Sequence, residues 1–171
     1  MIEEISKKIK LFVLDVDGVL TEGNIIYDNF GDELKCFDVH DGLGMYLLNK
    51  AGIKSVIITA RNSRIVKRRA RDMRVSAVYS GHDKLKIYKK VLKKFKVKDE
   101  EVCFMGDELL DFPVLKRAGL AVAPPNAIEE VKNIAHCVTR KHGGKGAVRE
   151  IIEMILKSQG LWDKVISGYM R

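Results

Sequence analysis

A three-layer α/β fold, a parallel sheet between two layers of helices, is written into the order of this chain's apolar segments. Short strand-like apolar runs alternate with longer segments whose apolar residues recur at steps of three and four, the βαβ rhythm that builds such a sheet. The first run, Leu11-Phe12-Val13-Leu14, is apolar at every position, as a central parallel strand covered on both faces must be. One segment breaks the rhythm and reads as a small β-hairpin inserted after that strand.

The first strand is expected over 11 to 17, where it delivers Asp15 and Asp17 onto Gly18. In open α/β sheets ligands collect beyond the carboxyl ends of the strands, so the two acids are placed to meet a substrate. Side chains two apart in an extended chain share a side, which aims both carboxylates at one small volume. Within the insert, about 21 to 38, Asn24-Ile25-Ile26-Tyr27 and Glu33-Leu34-Lys35-Cys36-Phe37 flank the five-residue turn Asp28-Asn29-Phe30-Gly31-Asp32. That hairpin lies beside the mouth of the site and is too small for a separate cap domain. The alternation then continues with a helix over 42 to 51, a strand over 55 to 60, a helix over 63 to 73, a strand over 77 to 80 and a helix over 84 to 96. It ends with a strand over 102 to 107, a helix over 109 to 118, a strand over 120 to 123, a helix near 127 to 134, a strand near 136 to 139 and a helix over 146 to 158. The whole is a Rossmann-like parallel sheet. In the tail, about 158 to 171, Leu161, Trp162, Val165, Ile166 and Tyr169 keep roughly helical spacing, suited to docking on a partner subunit or to a frayed end.

A chain of 171 residues forms one domain, 1 to 171, by size alone, and removes roughly 70% of its unfolded surface from water. Hydrophobic residues at 46% against charged residues at 32% exclude disorder and indicate a soluble globular protein. No apolar run approaches the ~18 residues of a membrane helix, and the start, MIEEISKKIK, has no apolar signal core. A cytoplasmic protein with no membrane partner is expected. Cys36, Cys103 and Cys137 are odd in number, far apart and without a CxxC, so they imply neither a disulfide framework nor a zinc site and are expected to be buried or inert.

Lys and Arg number 31 against 23 Asp and Glu, a formal charge of +8 that favours anionic partners without choosing among phosphate esters, nucleic acid and acidic lipid. Much of the excess lies on two amphipathic helices. Ile65, Val66, Ala70 and Met73 set Arg64, Lys67, Arg68 and Arg71 on an outer face, and Leu85, Tyr88, Leu92 and Phe95 do the same for the lysines between 84 and 98. Solvated basic faces of this kind are ordinary, and no RNA-binding aromatic motif or helix-turn-helix pattern accompanies them, so no nucleic-acid partner is expected.

Three further strand ends carry chemistry. Ser55-Val56-Ile57-Ile58-Thr59-Ala60-Arg61 ends on a hydroxyl where a helix begins and backbone N–H groups favour an anion. Gly81-His82-Asp83-Lys84 sets an ammonium at a loop-to-helix junction. Val102-Cys103-Phe104-Met105-Gly106-Asp107-Glu108-Leu109-Leu110-Asp111 runs a strand into a group of oxygen ligands suited to Mg²⁺. Singly, Thr59 is a helix cap or a strand former, Lys84 one lysine among many, and Asp107 a helix N-cap. Jointly, an acid pair, a hydroxyl, a lysine and an acid cluster at successive strand ends of one βαβ series build a phosphate-and-magnesium pocket.

Asp15-x-Asp17-Gly18, Thr59, Lys84 and Gly106-Asp107-x-x-x-Asp111 resemble, in order, the four motifs of the haloacid dehalogenase superfamily of phosphatases, over nearly the whole chain. The minimal hairpin, Ile58-Thr59-Ala60-Arg61, Asn126-Ala127 and Gly143-Gly144-Lys145-Gly146-Ala147-Val148-Arg149-Glu150 are similar to its capless branch, the 3-deoxy-D-manno-octulosonate 8-phosphate (KDO 8-phosphate) phosphatases. That branch carries Gly where Ala60 stands and Asp where Glu108 stands. The resemblance implies a HAD-like fold and a Mg²⁺-dependent phosphomonoesterase for a sugar-acid phosphate, most directly KDO 8-phosphate, with a nine-carbon sialic-type sugar-acid phosphate as the alternative. It implies Asp15 as nucleophile forming an aspartyl phosphate and Asp17 as acid and base. Asp15, the Asp17 backbone carbonyl and Asp107 are the implied metal ligands, Thr59 and Lys84 hold phosphate, and Asp111 acts through water or by orienting Lys84. Arg61 and Arg69 are the implied substrate-binding residues, Arg61 reading the sugar-acid carboxylate. The resemblance further implies a homotetramer built through the hairpins, each site closed by a neighbouring subunit. A phosphorelay receiver domain combines similar groups, but its phosphoacceptor acid would end a middle strand, and here that strand ends Ile58-Thr59-Ala60.

Overall fold

A computed structural model describes residues 2–170. The chain runs through α1 (Ile2–Ser6), β1 (Leu11–Leu14), the hairpin strands β2 (Ile26–Tyr27) and β3 (Glu33–Leu34), α2 (Val39–Lys50), β4 (Lys54–Thr59), α3 (Arg64–Asp72), β5 (Ala77–Ser80) and α4 (Lys84–Phe95). It continues with β6 (Val102–Met105), α5 (Phe112–Leu115), β7 (Leu120–Ala123), α6 (Glu129–Ile134), β8 (Cys137–Val138), α7 (Ala147–Ser158) and α8 (Trp162–Ile166). Six strands pair in the order β5-β4-β1-β6-β7-β8, every neighbour parallel, and β2 and β3 form a separate antiparallel pair.

Alternation along β1 divides the core. Phe12 and Leu14 point into one apolar cluster with Leu48, Ile57, Ile151 and Ile155, whereas Leu11 and Val13 point into the other with Tyr88, Val91, Phe104 and Val131. All four β1 residues are fully buried, which fixes this strand at the middle of the sheet. From β1 the chain winds outward to β4 and β5, then returns past β1 to β6, so the carboxyl end of β1 is the switch point where a crevice opens.

Several boundaries depart from expectation for local reasons. β1 stops at Leu14, short of residue 17, because the Val16 carbonyl accepts from the N–H groups of Val19, Leu20 and Thr21 and turns the chain. The helix expected over 109 to 118 is only Phe112–Leu115, since the Asp111 carboxylate accepts from the Asp107 and Glu108 amides and holds the preceding residues in a side-chain-stapled turn. Asp107 is therefore no N-cap; Asp111 takes that position. α2 begins at Val39, not 42, where the Asp38 side chain accepts from His40 and Asp41 N–H. α1, at five residues, is too short to leave a periodic trace. The tail folds back on its own chain: Val165 is buried, Lys50 Nζ donates to the Val165 carbonyl at 2.9 Å, and Arg149 and Lys157 face the Trp162 ring. Cys103 is buried and Cys137 half-buried, while Cys36 is exposed on the arm that leaves the hairpin, so of the two alternatives expected, buried or inert, burial does not hold for it. Among the described residues no helix is long and apolar enough to cross a membrane.

Candidate active site

Four side chains meet over the carboxyl end of β1, and a fifth, Thr59, ends the strand beside it. Asp15 follows β1, Thr59 ends β4, Lys84 opens α4, and Asp107 and Asp111 follow β6. Lys84 is 1% exposed, and its Nζ lies 2.6 Å from Asp15 Oδ2 and 2.7 Å from Asp111 Oδ1. The other Asp111 oxygen accepts the amides of Asp107 and Glu108 at 3.1 and 3.2 Å, and Asp15 Oδ1 accepts the Val16 amide at 2.7 Å. Thr59 is buried, and its Oγ1 accepts the Arg61 amide at 3.4 Å.

Two glycines let the backbone come this close. Gly18 has φ +84°, and a Cβ there would stand 1.9 Å from Asp107 Oδ2. Behind it, a Cβ on Gly143 would stand 1.8 Å from the Gly18 carbonyl oxygen. Asn126 ties the two: its Nδ2 donates to Gly18 O and its Oδ1 accepts the Gly143 amide, each at 2.8 Å, while Gly144 N donates to Val19 O at 3.0 Å. The loop before α7 thus supports the Asp17-Gly18 turn directly.

Charge is concentrated here. Burial, then the Asp111 and Asp15 charges, push the Asp107 carboxyl up to about 8. Burial and Asp111 likewise push Asp15 up to about 7 against the pull of Lys84. Burial works against the Lys84 ammonium, but Asp15 and Asp111 outweigh it and hold its pKa above the usual value. Oxygens of Asp15, Asp107 and Asp111 lie within 4.8 Å of one another, and Asp107 Oδ1 is buried with no hydrogen-bond partner. Three clustered carboxylates, two of them sharing one ammonium and the third with an orphaned oxygen, fit a hard divalent cation such as Mg²⁺.

The other expected residues lie around this cluster. The Asp17 carboxylate does not join it. Because β1 ends at Leu14, the two-residue alternation does not reach position 17, and that side chain ion-pairs with Lys35 of the hairpin arm. Arg61 Nη2 donates to Glu33 Oε1 at 2.8 Å, and Arg69 Nη2 donates to Asp38 O at 2.9 Å with its guanidinium over Phe37. Both arginines keep a buried Nε without a partner. Lys35 and Glu33 were not expected. The signal was present in the hairpin's period of two, which puts residues 33 and 35 on one side of the arm and Leu34 and Cys36 on the other.

The family model described as haloacid dehalogenase-like hydrolase matches residues 69–152. The 3-deoxy-D-manno-octulosonate 8-phosphate phosphatase of Yersinia pestis is 41% identical over 152 residues, covering 88% of this chain and 81% of that protein. The crystal structure of the Moraxella catarrhalis phosphatase of the same name, in complex with magnesium ion, phosphate ion and KDO, superposes with a TM-score of 0.96 at 40% identity, covering 98% of this chain and 97% of that one. A probable YrbI-family phosphatase from Pseudomonas syringae superposes with a TM-score of 0.97 at 40% identity, over 99% and 97% of the two chains.

Proposed function

Since this chain belongs to the haloacid dehalogenase-like hydrolases, within their 3-deoxy-D-manno-octulosonate 8-phosphate phosphatases, we infer that it hydrolyses KDO 8-phosphate to KDO and phosphate in a Mg²⁺-dependent reaction. The observation that carries this is the clustering of Asp15, Asp107 and Asp111 around buried Lys84 at the sheet's switch point. The nine-carbon sugar-acid alternative has no comparable support.

Asp15 is the nucleophile. Its carboxylate oxygen bonds to phosphorus as the ester P–O bond breaks, giving an aspartyl phosphate and an alkoxide. Asp17, 23% exposed at the crevice mouth, gives that alkoxide a proton. Asp17 then takes a proton from the water whose oxygen attacks phosphorus, the Asp15–phosphorus bond breaks, and inorganic phosphate leaves. Thr59 Oγ1 and Lys84 Nζ hold the phosphoryl oxygens, and Asp111 fixes Lys84 through the 2.7 Å contact. Asp15, Asp107 and the Asp17 backbone carbonyl are the residues that would hold magnesium, with Asp111 behind them. When bound, the ion offsets negative charge on the carboxylates and the transferring phosphoryl group.

Arg61 and Arg69 are assigned to the substrate: a planar guanidinium suits the sugar-acid carboxylate through a bidentate pair. The chain acts as a single domain in the cytoplasm and assembles as a homotetramer through its hairpins. That assembly is supported by the apolar residues the insert presents to solvent, Phe30 at 93% exposure with Ile26, Tyr27 and Leu34 beside it. The test is a phosphate-release screen over sugar-acid phosphates of eight and nine carbons with and without Mg²⁺. Metal-dependent release favouring the eight-carbon ester supports the assignment, and equal or opposite preference rejects its substrate.

A further inference from the structure

One edge of the hairpin touches two groups at once. Lys35 comes from the arm after β3, its side chain is 1% exposed, and its Nζ contacts Asp17 Oδ1 and lies 3.2 Å from Glu33 Oε1. That same Glu33 oxygen accepts from Arg61 Nη2 at 2.8 Å. Asp17, Lys35, Glu33 and Arg61 therefore form an unbroken chain of alternating charge from the β1 turn to the end of β4. Burial pushes the Glu33 carboxyl up, but the Lys35 and Arg61 cations outweigh it and keep it below the usual range.

Surface ion pairs contribute little. A nearly inaccessible ammonium held between two carboxylates is different, because its geometry is fixed and each partner is fixed in turn. We propose that Lys35 and Glu33 are positioning residues: Lys35 sets the Asp17 carboxyl over the crevice, and Glu33 sets the Arg61 guanidinium that reads the substrate's carboxylate. This rests on the roles assigned above to Asp17 and Arg61. The shared Glu33 oxygen makes one small element responsible for both proton transfer and substrate choice. Neither residue touches the reacting atoms.

The two halves separate kinetically. Lys35 acts through Asp17, which serves every phosphate ester, so its loss lowers kcat whatever the substrate. Glu33 acts through Arg61, which meets only substrates that carry a carboxylate, so its loss raises KM for those alone. The experiment measures phosphate release from KDO 8-phosphate and from ribose 5-phosphate, which has no carboxylate, with saturating Mg²⁺. Lys35→Met is expected to lower kcat by at least about tenfold on both esters with KM within about threefold, and Lys35→Arg to restore part of the loss. Glu33→Gln is expected to raise KM for KDO 8-phosphate by about tenfold and leave that for ribose 5-phosphate within about twofold. Unchanged kcat in Lys35→Met, no recovery in Lys35→Arg, or an equal KM change on both esters in Glu33→Gln overturns the proposal. If the unmodified enzyme releases phosphate only from other esters, the substrate assignment fails instead, and the Lys35 comparison is still read on whichever ester turns over.

Discussion

Gly143→Ala tests how tightly the loop before α7 sets the catalytic turn. Gly143 has an ordinary backbone, so the substitution carries no conformational penalty; its whole effect comes from the new methyl group. That methyl would stand 1.8 Å from the Gly18 carbonyl oxygen, against 3.4 Å or more for ordinary contact. Gly18 O cannot simply swing aside, because Asn126 Nδ2 holds it at 2.8 Å, and Gly144 N holds Val19 O at 3.0 Å. The loop and the turn must therefore separate by more than about 1 Å, a displacement that costs on the order of a hundredfold in rate when it reaches a reacting group. Asp17 is the residue before Gly18 and moves with it. The expected result is a fall of about a hundredfold in kcat/KM for phosphate release, with the circular dichroism spectrum unchanged and unfolding still cooperative. Activity within twofold of the unmodified enzyme would refute the idea that this contact places the turn.

Other outcomes follow from the same geometry. Asp15→Asn should abolish turnover and leave the fold intact, since it removes the nucleophile with little change in volume; retained phosphate release in that variant counts against the nucleophile. Lys84→Met leaves Asp15 and Asp111 buried without their cation and should cost about 3 kcal/mol of stability in metal-free denaturant titration, with part recovered on adding Mg²⁺. Asp41 is buried against the start of α7, where its Oδ1 accepts the Arg149 amide at 2.8 Å, and burial pushes its carboxyl up to about 6. A folded-state pKa above the unfolded one gives stability that is complete below about pH 4 and is lost as pH rises through about 6, up to about 3 kcal/mol. Asp41→Asn should flatten that part of the stability profile relative to the unmodified protein, and an unchanged slope would show that Asp41 does not titrate there.

Much of this was legible in the sequence because it depends on local pattern. β1, β6 and β7 are apolar runs whose burial the composition dictates, and acids or hydroxyls at the ends of consecutive strands converge once the sheet is parallel. What escaped depends on single hydrogen bonds. Nothing in the spacing of 15 and 17 tells that Val16 O would gather three amides, end the strand early and send Asp17 toward Lys35. Nor does Asp111 announce that it would staple the residues before it and cut the helix expected over 109 to 118 down to Phe112–Leu115. Lys35 and Glu33 share a face by simple alternation, but their partners are set by how the hairpin leans over the crevice, which is a tertiary fact. Asn126 likewise acquires its place only when the loop before α7 comes to rest on Gly18.

The most direct measurement is to trap the phosphoenzyme. Unmodified enzyme is mixed with KDO 8-phosphate and Mg²⁺, quenched in acid within milliseconds, digested and examined by mass spectrometry. A phosphoryl group on Asp15, absent when Mg²⁺ is chelated first, is the expected result. A phosphoryl group on another residue, or equal labelling without the metal, would contradict Asp15 as the nucleophile of a magnesium-dependent phosphatase.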